Sequence, residues 1–148
     1  NDSYVKDVYN HGIIMTDRSY LCNIVYQIYE QVSQDNLELF DLDEVLTRYK
    51  YIITWLYEIN MMVPRIDGVV FFNTTPEVCV ERCLRRGENI SIDKVNALNQ
   101  LYKYFINKDG CKSLYVSTDN SNETVQDVCE QIHTFVEAVR RDTHANQV

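Results

Sequence analysis

Three arginines lie close together in the middle of the chain and are followed by a glycine. Arg82, Arg85 and Arg86 have the spacing that places side chains on one helical face, and Gly87 comes directly after them. Clustered guanidinium groups bind anions such as phosphate, and a glycine beyond them permits a mobile flap. In a second interpretation, Glu81 pairs with Arg85 one turn away and the cations simply favour a helix C-terminus. Spacing alone leaves both interpretations open.

A second polar cluster, Asp17-Arg18-Ser19, follows the short apolar run Ile13-Ile14-Met15. We interpret the run as a buried strand, and ligands of parallel α/β sheets gather at the carboxyl ends of the strands. A carboxylate at such an end can hold Mg²⁺, and an arginine beside it can neutralise a phosphoryl group. Alternatively, the cluster is a helix N-cap with an incidental surface arginine. The two clusters together favour phosphoryl transfer.

Hydrophobic periodicity predicts the elements that would position both clusters. Short apolar runs predict strands, and apolar residues at steps of three and four predict helices. The alternation of the two patterns favours an α/β fold with a parallel sheet, formed by one domain or part of one. The predicted strands are 13–15, 69–72 and 114–116; the predicted helices are 21–32, a long one from Asp41 or Asp43 to 59, 76–86, one from about 92, and a last one capped near Asn122.

Composition and charge narrow the function classes. The net charge is -8, so any phosphate contact must come from local arginines, and nothing supports binding of nucleic acid. No apolar stretch approaches the roughly 20 residues that cross a bilayer. Five cysteines without a CxxC pair favour reduced thiols in an intracellular protein, cytoplasmic with a mitochondrial location left open. Cys79 and Cys83 share a helical face, but no further His or Cys completes a zinc site, so we interpret them as small buried hydrophobic residues.

Two segments resemble a known family. Residues 66–89, IDGVVFFNTTPEVCVERCLRRGEN, resemble the strand, helix and arginine-rich lid of the cellular and viral deoxynucleoside kinases. Residues 12–30, GIIMTDRSYLCNIVYQIYE, are similar to the family's strand followed by E-R-S or D-R-H and a long helix. Residues 114–122 resemble its last strand and adenine-side loop. The resemblance implies a three-layer, P-loop kinase-like fold and Mg²⁺-dependent transfer of the γ-phosphate of ATP to the 5′-hydroxyl of a thymidine- or deoxycytidine-like deoxynucleoside.

The resemblance also implies roles for residues on the phosphate side. Asp17 matches the acid near Mg²⁺, and Arg18 matches the arginine near the 5′-hydroxyl and the transferred phosphate. Arg82 and Arg86 match lid arginines on the phosphates of ATP, and Arg85 is a weaker match.

Four further residues match positions on the nucleoside side. Glu88 resembles the lid acid that hydrogen-bonds the sugar 3′-hydroxyl, although the cellular R-x-R-x-E-E run is not reproduced. Asn23 falls where the family places a residue that faces the base. Asn120 and Ser121 would border adenine. The resemblance therefore makes the deoxynucleoside and ATP the expected ligands.

The main departure from the family is that the phosphate-binding loop motif is absent from this sequence. The four glycines, at 12, 68, 87 and 110, contain no GxxxxGK[ST]. The chain does not begin with Met, and we expect it to be the C-terminal part of a kinase, incomplete at the N-terminus. In the family, the strand before the missing loop lies between those expected at 13–15 and 69–72. We therefore expect these 148 residues alone to be unstable or to associate abnormally, and not to phosphorylate nucleosides.

Two rival functions remain open. A thymidylate kinase also carries D-R after a strand, although that family usually has D-R-Y where this chain has Asp17-Arg18-Ser19. A non-catalytic remnant would bind nucleotide weakly or present an interaction surface through its long helices. Members of the kinase family are often dimers, and the apolar stripes at 21–32 and 45–59 would permit a homodimer.

Overall fold

The computed structural model of the chain describes residues 12–35, 39–119 and 124–145. These residues form a mixed α/β structure in which six helices accompany two strands. In chain order the elements are α1 (Tyr20–Gln34), α2 (Leu42–Arg48), α3 (Lys50–Asn60), β1 (Gly68–Phe72), α4 (Pro76–Arg85), α5 (Ile92–Asp109), β2 (Lys112–Val116) and α6 (Val125–Ala145).

The two strands form a parallel sheet, with Val70 opposite Leu114 and Phe72 opposite Val116. Both strands were predicted from apolar runs, and both are confirmed with one or two more residues at the start. Alternate residues of a strand point to opposite faces. Tyr102 of α5 lies on the Phe71 face, with the ring centroids 5.7 Å apart. α6 covers the other face, where a Cβ added at Gly68 would meet the side chains of Phe135 and Val139 at 3.0 Å.

The strand predicted at 13–15 is wrong. Residues 13–16 have no regular secondary structure, and Ile13 and Met15 are 42% and 68% exposed. An apolar run becomes a strand only when a neighbouring strand satisfies its backbone hydrogen bonds, and none of the described residues pairs with this one. β1 has a single neighbouring strand among the described residues, and Phe72 at its end is exposed.

The core forms between α1, α3 and α5, beside the sheet. The stripe of α1 that was predicted from periodicity is buried, from Leu21 to Val32. It packs against α5, in which Leu101 and Phe105 are fully buried. The ring of Phe105 also lies against Tyr57 of α3, at a centroid distance of 5.9 Å. Burial of these apolar surfaces is the main source of the stability of the fold.

The long helix predicted from Asp41 or Asp43 to 59 is two helices. Asp41 caps the first, because its carboxylate accepts the Glu44 N–H at 3.0 Å. The break falls at Tyr49, whose backbone leaves the helical region while its buried hydroxyl donates to Asp35 at 2.6 Å. Periodicity cannot locate this break, since a contact between distant residues holds Tyr49 in place. Pro64 lies beyond the end of α3, where a proline is tolerated.

A polar cluster joins three elements at the amino end of the sheet. The Asp109 carboxylate, at the end of α5, accepts a hydrogen bond from the Tyr20 hydroxyl at 2.7 Å and one from Arg65 at 3.0 Å. Burial, followed by the hydrogen bond to Asp109, raises the pKa of Tyr20 to about 12. The cluster ties α1 and the segment before β1 to α5, which leaves the opposite, carboxyl end of the strands for ligands.

The helix that follows β1 begins and ends as its sequence indicates. Thr75 is the N-cap of α4 and Pro76 its first residue, and the helix ends before Gly87, where φ is +78°. The predicted cap near Asn122 lies outside the described residues. None of the described helices combines the length and the apolar character that a membrane span requires.

Candidate functional site

The loops after the two strands are joined by hydrogen bonds. The backbone N–H of Thr75, which follows β1, donates to the two carboxylate oxygens of Asp119 at 2.9 and 3.2 Å. The hydroxyls of Thr74 and Thr118 form a second bond between the same loops. The negative charge of Asp119 at the N-terminus of α4 also interacts favourably with the positive end of the helix dipole. The start of α4 is thus fixed to the loop that follows β2.

Arg82 adds a third link between α4 and this loop. Its guanidinium donates to the hydroxyl of Thr118 at 3.3 Å and also to the Thr118 backbone carbonyl. The side chain therefore lies at the carboxyl ends of the strands, where ligands of parallel sheets bind. In this arrangement, however, part of its hydrogen-bonding capacity is used by the protein itself.

The other two arginines of the cluster have separate partners. Arg85 pairs with Glu81 one helical turn away, as the second interpretation of the spacing predicted. Arg86 lies 3.7 Å from a carboxylate oxygen of Glu88 and donates to the sulfur of Cys83 at 3.5 Å. All four charged side chains are exposed. Ion pairs between exposed side chains contribute little to stability, so a phosphate could replace these carboxylates as the partner.

Asp17 and Arg18 lie in the exposed segment that precedes α1. Ser19 is the N-cap of α1 and accepts the Leu21 N–H at 3.2 Å, which confirms the capping role for this serine. Burial raises the pKa of Tyr102 on α5, and the positive charge of Arg18 opposes this rise. The hydrogen-bond and ion-pair partners of the three α4 arginines do not include Asp17 or Ser19, so no such contact among the described residues joins the two predicted clusters.

The remaining predicted site residues occupy different positions. Asn23 is exposed on the first turn of α1, and Glu88 is exposed after Gly87. Asn120 and Ser121 lie outside the described residues. Their neighbour Asp119 is described, and sequence reasoning missed its link to Thr75.

A polar cleft at the same edge of the sheet was also missed. It has a volume of about 290 Å³ and lies between the strand ends and α5, and none of the predicted site residues is in its lining. Asn99 supports one wall by donating to the Thr74 carbonyl at 3.3 Å. The periodicity of α5 indicates that Asn99 lies on a polar face, but the sequence does not show which loops lie opposite this residue. The lining residues are Asn73, Thr74, Thr75, Pro76, Asn96, Asn99, Gln100, Lys103, Ser117 and Asp119.

Asp17 is the candidate Mg²⁺ ligand. Its carboxylate is exposed and forms no hydrogen bond within residues 12–35, 39–119 and 124–145. Over the same residues, no group of three or more His, Cys, Asp or Glu side chains is arranged to hold a metal ion. Mg²⁺ is usually held by one or two carboxylates together with substrate phosphates, so a single free carboxylate fits that mode of binding.

Fold and site together define a mixed α/β protein with a parallel strand pair, helices on both faces and an arginine-bearing helix that begins at the carboxyl end of β1. Comparison with known proteins adds no family to this description: no protein-family model, no curated protein and no solved structure matches the chain significantly.

Proposed function

We propose that this chain is the lid-bearing part of an ATP-dependent deoxynucleoside kinase with a P-loop kinase-like fold. The observation that carries the proposal is the position of α4. This helix follows β1 directly, is fixed to the loop after β2 through Arg82, and presents Arg85 and Arg86 beside a glycine with positive φ. Such a helix can bring cations to a phosphate bound at the strand ends.

In the proposed reaction, the 5′-hydroxyl of the deoxynucleoside attacks the γ-phosphorus of ATP and gives up its proton to solvent, and ADP leaves. Arg18 and Arg86 stabilise the charge that develops on the phosphoryl oxygens. Asp17 would hold Mg²⁺, which would supply positive charge beside the phosphates of ATP. Glu88 would accept a hydrogen bond from the 3′-hydroxyl, and Asn23 would face the base. Because Arg82 is partly engaged by Thr118, it would orient the lid and contact phosphate with its remaining donors.

The proposal requires a phosphate-binding loop, which these 148 residues do not contain. In a kinase of this type, the loop follows a strand that pairs beside β1. β1 has one neighbour among the described residues, which is compatible with a further strand along its other edge. The 148 residues alone are therefore expected to lack kinase activity.

The acceptor specificity of the protein encoded by the whole reading frame tests the proposal. Purified protein is incubated with γ-labelled ATP, Mg²⁺ and thymidine, deoxycytidine or thymidine monophosphate, and the products are separated. We expect transfer to a nucleoside and none to the monophosphate. Transfer to the monophosphate alone would identify a thymidylate kinase instead. Transfer to none of the three would favour the non-catalytic remnant.

The stripes at 21–32 and 45–59, through which a homodimer was expected, are mostly buried in the core of the chain itself, so the proposed homodimer needs another surface, and the outer face of α3 offers one. Tyr51 and Trp55 are 83% and 58% exposed and lie one helical turn apart on α3, and Met62, just beyond the end of the helix, is 91% exposed. Monomeric proteins seldom expose contiguous apolar patches larger than a few hundred Å². An antiparallel pairing of two copies would cover these side chains.

Trp55→Ser should therefore weaken self-association. We expect the wild-type chain to form dimers in sedimentation velocity over micromolar concentrations, and the variant to dissociate about tenfold more readily, because a large aromatic anchor is lost. Leu84→Ser is the matched control, since Leu84 on α4 is also 58% exposed but lies away from the face. A chain that stays monomeric, or a Trp55→Ser dimer as tight as the wild type, contradicts this arrangement.

A further inference from the structure

Two cysteine thiols lie one helical turn apart on α4. Cys83 is buried and Cys79 is half-buried, and both are free. The spacing of four residues places both side chains on one helical face, and burial, followed by the neighbouring Cys83, raises the pKa of the Cys79 thiol. The packing of small hydrophobic residues explains why these positions are covered. It does not explain why two sulfur atoms share one face beside the arginine cluster.

The helical spacing disfavours a disulfide between these residues. Side chains four residues apart in a helix have Cβ atoms about 5–6 Å from each other. A disulfide requires about 3.5–4.5 Å between its Cβ atoms, so this bond would force the helix open. A metal ion between the two sulfur atoms requires a wider separation, because each metal–sulfur bond is roughly 2.3 Å long. The intact helix is therefore better matched to a bridging ion than to a disulfide.

The number of ligands and the local charge restrict the kind of ion. No group of three or more His, Cys, Asp or Glu among the described residues is arranged to hold a metal, so zinc, which prefers four ligands, is poorly served. Two thiolates suit a soft ion with low coordination number, and Cu(I) prefers sulfur. A monovalent ion between two thiolates forms a complex with one negative charge. Arg86, which donates to the Cys83 sulfur at 3.5 Å, would neutralise it.

We propose that Cys79 and Cys83 form a two-thiolate binding site for a soft monovalent metal ion, with Cu(I) as the ion that fits it best. Both thiols lose their protons to solvent as the ion binds, so that two S–H bonds are replaced by two Cu–S bonds and no electron is transferred. The bound complex holds Arg86 against the sulfur atoms. Metal binding and the pairing of Arg86 with Glu88 therefore compete for one guanidinium group.

The site is tested by adding Cu(I), as its acetonitrile complex, to the reduced chain without oxygen and in competition with a coloured Cu(I) chelator. We expect one ion per chain, and X-ray absorption should show two sulfur ligands. Cys79→Ser should weaken binding by more than about a hundredfold, since removal of a ligand costs more than the 10–100-fold typical of outer contacts. Arg86→Gln should weaken it about tenfold as such an outer contact.

The control is a variant in which the other three cysteines, Cys22, Cys111 and Cys129, are serine. It should retain the affinity and stoichiometry of the wild type, and circular dichroism verifies the helical content of each variant. Because Cys83 is buried, Cys83→Ala serves as a second removal of a ligand only if its spectrum is unchanged. If Cys79→Ser binds Cu(I) as tightly as the wild type, or if the triple variant loses the ion, the proposed site does not exist.

Discussion

Replacing Phe105 with alanine should lower the free energy of unfolding by about 3 to 5 kcal/mol. Phe105 is fully buried on α5, and its ring centroid lies 5.9 Å from that of Tyr57 and 5.0 Å from that of Tyr104. Alanine removes most of the side chain and leaves a cavity, and the surrounding helices cannot move close enough to fill this cavity completely. Since small domains have a total stability of about 5–15 kcal/mol, the variant should lie close to unfolding. Urea denaturation followed by circular dichroism measures the difference.

Leu84→Ala is the control for this substitution. Leu84 also lies on a helix, but it is more than half exposed, so its truncation should change the free energy of unfolding by no more than about 0.5 kcal/mol. The measurement should be made at one protein concentration, because self-association through α3 would add to the apparent stability. If Phe105→Ala costs less than about 1 kcal/mol, the core between α1, α3 and α5 is not packed as described.

The sequence predicts most of the helices because their signals are local. The stripe of α1 repeats at steps of three and four from Leu21, and the same residues are buried in the fold. The start of α4 follows from Thr75-Pro76, since proline is favoured at the first helical position. Each signal lies within the element that it predicts, and the two strands of the sheet are likewise marked by their own apolar runs.

The errors arise where a distant residue decides the structure. The run at 13–15 has the composition of a strand, but no described strand lies beside it. The periodicity of α2 and α3 is continuous, yet the chain turns at Tyr49, whose hydroxyl is bonded to Asp35. The local pattern of apolar residues shows neither whether a strand lies beside residues 13–15 nor that Tyr49 bonds to Asp35.

The candidate site shows the same division between local and distant contacts. The pair formed by Glu81 and Arg85 follows from their spacing within one helix. The bonds of Asp119 to Thr75 and of Arg82 to Thr118 join segments that are more than thirty residues apart in the chain. Residue types alone suggest phosphate as a ligand of Arg82. Only the fold shows that the Thr118 carbonyl already accepts a hydrogen bond from its guanidinium group.

Arg18→Ala should lower the kcat of the complete protein in the proposed kinase reaction by about 10³-fold. An arginine that stabilises the charge of a transferring phosphoryl group contributes 10³- to 10⁵-fold to the rate, and the lower limit allows for the other arginines of the site. Arg18→Lys should recover only part of the loss, since lysine keeps the charge but not the two-pronged geometry of the guanidinium group. Initial rates at saturating ATP and nucleoside separate this effect on kcat from a change in KM.

The matched control is Arg48→Ala, because Arg48 is also an exposed arginine but lies at the end of α2, among none of the proposed site residues. Its kcat should equal that of the wild type. Arg18 is exposed and bonded through its backbone carbonyl to Thr16, so alanine should leave the melting temperature unchanged. A kcat within about threefold of the wild type for Arg18→Ala would exclude a contact between Arg18 and the reacting phosphoryl group, since even one charge-assisted hydrogen bond is worth more than that factor.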